Sequence, residues 1–167
     1  MEIVKLRKYV FELATAFHID LMLCKELQPQ EAAALTRPSD GRCGVVAREV
    51  TDETSYVVVL HEMGHHLSPL GKLRSELKVA VPGPSSPIRE RHRYIKLMLE
   101  EEMAAWEWAK HHALFWSAGM DQVFQYALNT YAAEEKRIAE IVVYTPPPNW
   151  QPKARRASLD EIANGRK

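Results

Sequence analysis

Apolar positions near the start of the chain recur at helical spacing, at Ile3, Leu6, Val10, Leu13 and Phe17, and predict an amphipathic helix over that stretch. Two apolar runs of strand length follow, Asp20 to Leu27 and Gly44 to Val50. The segment between them is punctuated by Pro29, Pro38 and Gly41 and is assigned no element. Next comes a conflict between two signals. Val57, Val58 and Val59 favour a strand on propensity alone. Yet Tyr56, Val59, Leu60, Met63 and Leu67 form a stripe at one helical face, and Asp52 stands where an N-cap belongs. The stripe wins, predicting a helix that stops at Ser68-Pro69, where proline forbids continuation.

Prolines and glycines from Leu70 to Ser85 predict a loop over or beside that helix. Ser86-Pro87 reads as a capping serine with proline in the first turn. The helix that it opens runs from Ile88 to about Trp116, ending at Ser117-Ala118-Gly119. Two shorter helices are expected near Asp121 to Asn129 and Ala132 to Val143. After Tyr144 the chain turns proline-rich and basic. The expected organisation is a single domain over residues 1–144 and a flexible tail over 145–167, with an α+β fold that is mostly helical.

Composition narrows the class without choosing a function. The 167 residues are 46% hydrophobic and 26% charged, which suits a globular domain. Formal net charge is zero, so no overall field draws the chain to nucleic acid or to an anionic membrane. The N-terminal helix mixes charges among its apolar residues, unlike a signal peptide, and no run approaches the roughly 20 apolar residues of a membrane span. Cys24 and Cys43 are read as reduced thiols, and a cytoplasmic location follows.

The chemistry concentrates in Leu60 to Leu67, "LHEMGHHL". His61, Glu62 and His65 form H-E-x-x-H. On a helix, residues four apart share a face, so both imidazoles meet one cation. Glu62 lies about 100° round, placed to take a proton from a water held there. Gly64 in mid-helix costs about 1 kcal/mol relative to alanine and implies that another element packs tightly on that turn. His66, beside the ligand face, is read as a supporting or surface group. Structural histidines are the competing reading of the motif.

A catalytic zinc site takes three protein ligands. The residue three after His65 is Ser68, which excludes a third histidine at that spacing. The helix "LMLEEEMAAWEWAKHH" supplies a carboxylate instead. Glu102 has Met98, Leu99, Ala105 and Trp106 one turn away, and a carboxylate in an apolar stripe is costly unless paired or metal-bound. Glu101 has Leu97, Met98, Ala104 and Trp108 around it. Periodicity leaves the two nearly even, with His111 and His112 as lesser rivals. Glu100 reads as solvated, and the tryptophans near it as core. For oxyanion stabilisation, His66, His92, His111, Tyr126 and Tyr131 are all chemically eligible.

H-E-M-G-H followed by E-M-A-A-W-E-W-A on a second helix resembles the gluzincin zinc peptidases, and more narrowly the small ImmA/IrrE-type metallo-endopeptidases of bacteria, phages and mobile elements. The resemblance covers roughly Met1 to Val143. It implies a minimal zincin-like fold with a small sheet, Zn²⁺ held by His61, His65 and Glu102, and Glu62 as general base. Glu102, with Ala105, Trp106 and Ala109, fits that family's register better than Glu101 does. Trp106 stands where many members have asparagine, and the gap from His65 to Glu102 is longish. The implied activity is zinc-dependent cleavage of a cytoplasmic regulatory protein such as a transcriptional repressor, with neither membrane nor nucleic acid as partner. Two alternatives are a catalytically silent interaction protein on the same fold and a SprT-like protease acting on DNA-bound proteins. Against the latter, no zinc-ribbon cysteines are visible.

Overall fold

A computed structural model describes residues 2–28, 31–36, 42–70 and 86–141. Among these the fold is mixed α+β, with four helices and one three-stranded sheet. Helix α1 spans Ile3–Ala16 and buries Leu6, Val10 and Ala14, one residue per turn along a single stripe. It is closed by His18 at φ 55°, with the Ile19 N–H donating to Ala14 O at 2.8 Å. His18 follows the C-cap residue Phe17, and that left-handed position just past a helix end is normally given to glycine.

Strands β1 (Asp20–Cys24), β2 (Ala32–Thr36) and β3 (Cys43–Arg48) form a sheet of order β1-β3-β2. β1 runs parallel to β3 and β2 antiparallel to it, so that Leu21 and Ala34 flank Val45 from opposite sides. Val45 and Ala47 alternate into the core. Both expected strands exist but are shorter: β1 turns away after Cys24, and β3 starts at Cys43 and ends two residues before Val50. β2 was not foreseen. Cys24 and Cys43 lie at opposite ends of the β1–β3 pair, about 16 Å apart along the strands, which is beyond disulfide reach.

Helix α2 spans Glu53–Leu67 as expected. Its start is a reciprocal capping box: the Ser55 N–H donates to the Asp52 carboxylate at 2.7 Å, and the Asp52 N–H donates to Ser55 Oγ at 3.1 Å. Tyr56, Val57, Val59, Leu60 and Met63 are fully buried. The sheet, α1 and the later helices surround α2, and burial on several faces overrides the strand propensity of its valines.

Helix α3 spans Ile88–His112 and α4 spans Ala118–Ile141. Three expectations need correction here. Pro87, not Ser86, occupies the N-cap, and no side chain among the described residues caps the helix; the Glu90 and Arg91 N–H groups bond to Pro87 O. α3 ends at His112 rather than Trp116. The Ser117-Ala118-Gly119 run opens the next helix instead, with the Met120 N–H donating to Ser117 Oγ at 3.2 Å. The two short helices are one, because no proline interrupts them and the Thr130 hydroxyl turns back onto Tyr126 O. Of the loop expected from Leu70 to Ser85, only Leu70 is described, and it is helical; the rest of that loop and the tail over 145–167 lie outside the described residues. No described helix is long and apolar enough to cross a membrane.

α2 and α3 cross where glycine is needed. A Cβ on Gly64 would stand 2.4 Å from Ala105 O and 2.8 Å from its Cα. The close packing expected at this glycine is present, and it sets the spacing between the two helices that carry the candidate site.

Candidate metal centre

His61 and His65 project from one face of α2, and their Nε2 atoms are 3.2 Å apart. From α3, Glu102 Oε2 lies 3.3 Å from His61 Nε2 and 3.6 Å from His65 Nε2. Three ligands placed tetrahedrally at zinc–nitrogen bond lengths stand about 3.3–3.4 Å from one another. The observed edges of 3.2, 3.3 and 3.6 Å lie close to that spacing, and the group lies close enough to hold a metal ion. Glu102 Oε2 is buried and has no hydrogen-bond partner among the described residues. A buried carboxylate oxygen facing two imidazole nitrogens needs a shared cation or proton.

The atoms behind this triangle are held as well. The His65 Nδ1–H donates to Glu101 Oε1 at 3.3 Å, which leaves the Nε2 lone pair directed at the other two donors. The Trp106 indole stacks on the His61 ring, with centroids 4.2 Å apart and planes at 22°. His61 is 5% exposed, and its Nδ1 has no partner among the described residues. The Tyr131 hydroxyl, carried by α4, interacts with the Glu102 carboxylate and the Trp106 indole.

Burial tends to raise the Glu102 pKa, but the imidazoles of His61 and His65 and the Tyr131 hydroxyl outweigh it and hold the carboxyl below its ordinary value. For His65 burial opposes the charge, while Glu101, Glu102 and Glu62 together raise its pKa. Burial dominates at Glu62 and pushes its carboxyl up despite the two nearby histidines. The Ala34 N–H of β2 also reaches the Glu62 carboxylate. The unforeseen strand therefore borders the cluster. Burial with the Glu102 charge raises the Tyr131 phenol.

The other sequence candidates sort clearly. Glu101 is buried beside His65 rather than at the ligand triangle. The His66 Nε2–H donates to Gly44 O at 3.0 Å and ties α2 to β3. His112 stacks on Trp108 at 4.0 Å and bonds to its carbonyl, while exposed His111 sits beside it. At the end of α3, both are ten residues or so from Glu102, about 15 Å along the helix. His92 and Tyr126 are exposed, leaving Tyr131 as the oxyanion candidate placed at the cluster. Glu100 is exposed next to Lys96, and Trp106 is core. The sequence had shown neither the contact of Glu101 with His65 nor the stacking of Trp106 on His61, although the tandem glutamates on an apolar stripe were the available signal.

A cavity of about 500 Å³ lined by Ala14, Thr15, His18, Ile19, Asp20 and Arg42 shares no residue with this cluster. Compared with known proteins, the chain matches no family model, no curated protein and no solved structure.

Proposed function

We propose that the chain is a zinc-dependent endopeptidase of the small gluzincin type, cleaving a peptide bond in a cytoplasmic regulatory protein such as a repressor. The observation that carries this reading is the triangle of His61, His65 and Glu102 donor atoms, with edges of 3.2, 3.3 and 3.6 Å, beside the half-buried carboxylate of Glu62. The donor set fits a divalent cation, because two imidazoles and one carboxylate with an orphaned buried oxygen are the ligand types that zinc takes. When bound, zinc supplies Lewis acidity that polarises a carbonyl and makes water a nucleophile at neutral pH.

This chain's own groups do the rest. His61, His65 and Glu102 hold three positions. Glu62 takes the proton of the attacking water and hands it to the leaving amine, and its raised pKa suits both halves of that transfer. Tyr131 approaches from α4, where a phenol can donate to the carbonyl oxygen as charge develops. β2 is an edge strand bordering Glu62, so an extended peptide can add along it and place its backbone at the site.

The test pairs metal content with turnover on a mixed peptide library read by mass spectrometry. Wild type carries about one zinc per chain and cleaves. Glu62→Gln keeps the metal and loses cleavage by about a thousandfold. Undiminished cleavage by Glu62→Gln refutes the general-base role, and absence of zinc from the wild type refutes the metal centre.

A further inference from the structure

Glu101 is buried to 4% exposure, one residue before the proposed ligand Glu102, yet its carboxylate points elsewhere. Its Oε1 lies 3.3 Å from His65 Nδ1, the nitrogen on the far side of the ring from the donor triangle. From these two placements we infer that Glu101 is the positioning residue for His65: it fixes the ring's tautomer and rotation, and raises its affinity for a cation by backing it with charge. The inference rests on the metal-centre reading above.

Three features support the role. A buried carboxylate is costly unless a specific partner compensates, and the His65 N–H is such a partner. An imidazole that donates from Nδ1 keeps its Nε2 lone pair free, and the His65 Nε2 is the atom that faces His61 and Glu102. Third, adjacent residues on a helix diverge by about 100°, and α2 packs against α3 closely enough at Gly64 and Ala105 for both acids to reach His65. One glutamate meets the ring at Nε2 and the other at Nδ1. The tandem acids divide the work, Glu102 giving an oxygen to the cation and Glu101 holding the imidazole from behind.

The full chain is titrated with Zn²⁺ in competition with a chromophoric chelator, comparing wild type with Glu100→Gln, Glu101→Gln, Glu101→Ala and Glu102→Gln. Glu100→Gln matches wild type. Glu101→Gln, which keeps an acceptor oxygen but no charge, binds about tenfold more weakly, and Glu101→Ala about a hundredfold. Glu102→Gln loses binding. A second readout is the His65 Nδ1–H resonance of the zinc form, downfield and slow to exchange in wild type, and absent in Glu101→Ala. The apo melting temperature of Glu101→Gln stays at or above that of wild type, which separates positioning from simple stabilisation. If Glu101→Ala does not fold, Glu101→Gln with the resonance decides the matter: wild-type affinity and an unchanged signal overturn the inference. So does an Glu101→Ala affinity within twofold of wild type while Glu102→Gln has lost binding. Retained binding in Glu102→Gln with loss in Glu101→Ala makes Glu101 a ligand and overturns it as well. A wild type that binds no Zn²⁺ removes the metal-centre reading, and this inference with it.

Discussion

Replacing Gly64 by alanine sets two effects of opposite sign against each other. In a helix interior alanine is favoured over glycine by about 1 kcal/mol. Against that, the new Cβ stands 2.4 Å from Ala105 O, 2.8 Å from Ala105 Cα and 2.9 Å from Ala105 C. Carbon and oxygen in ordinary contact sit about 3.3 Å apart, so the helices must separate by roughly 0.9 Å. The obstacle is backbone, which has no rotamer to escape into. Overpacking of this kind costs about 3 kcal/mol at the severe end, leaving a net loss of about 2 kcal/mol. For a chain of this size that lowers the melting temperature by about 4–8 °C. The consequence for the site is larger. Gly64 adjoins His65, and Ala105 lies one turn from Glu102, so the same separation stretches triangle edges now at 3.3 and 3.6 Å beyond 4 Å. A cation at zinc bond lengths then reaches two donors well and the third poorly. Thermal melts of the apo chain and chelator competition for Zn²⁺ measure the two effects separately. A Gly64→Ala protein that melts at or above the wild-type temperature and binds zinc undiminished refutes the packing argument.

Three further expectations concern the scaffold. Tyr56→Phe removes the hydroxyl that accepts the Leu114 N–H at 3.0 Å and costs about 1 kcal/mol in urea unfolding; burial holds that phenol up to about 12, so absorbance titration of the wild type shows Tyr56, together with the likewise raised Tyr131, still neutral at pH 11, and Tyr56→Phe loses one of these late-titrating groups. His18→Gly relieves a side chain at φ 55° and raises stability by about 1 kcal/mol, measured the same way. Asp52→Ala costs about 1 kcal/mol at pH 7 through the lost cap. Burial pushes the Asp52 carboxyl up, but the Ser55 N–H and hydroxyl and the Arg48 charge outweigh it and hold its pKa below normal. A depressed folded pKa contributes stability above the unfolded value of about 3.9 and loses it as the pH falls through the folded value, so the gap between wild type and Asp52→Asn narrows below pH 4 and is constant from pH 6 to 8.

What could be read from the chain depended on whether the deciding interaction was local. α2 was legible because its cap, its stripe and its proline stop all lie within a few residues of the helix. β2 was not, since Ala32, Ala33 and Ala34 have little strand propensity of their own. It is a strand because β3 offers a free edge and α2 packs against it, and neither fact is visible locally. The long α4 was misread in the opposite sense. Asn129 and Thr130 weaken a helix without breaking it, and Ser117 caps one that looked as if it should end there.

The near tie between Glu101 and Glu102 has a different origin. Periodicity asks which residue on α3 faces α2, and at an ordinary interhelical distance one of two adjacent residues does so better than the other. At the Gly64–Ala105 contact the helix axes come so close that the imidazole of His65 lies between both carboxylates, 3.3 Å from one and 3.6 Å from the other. An even score was therefore the right result for the question that periodicity can ask. The two acids differ in which nitrogen they meet. That depends on the rotation of the His65 ring about its own bonds, a quantity that no spacing along the chain encodes.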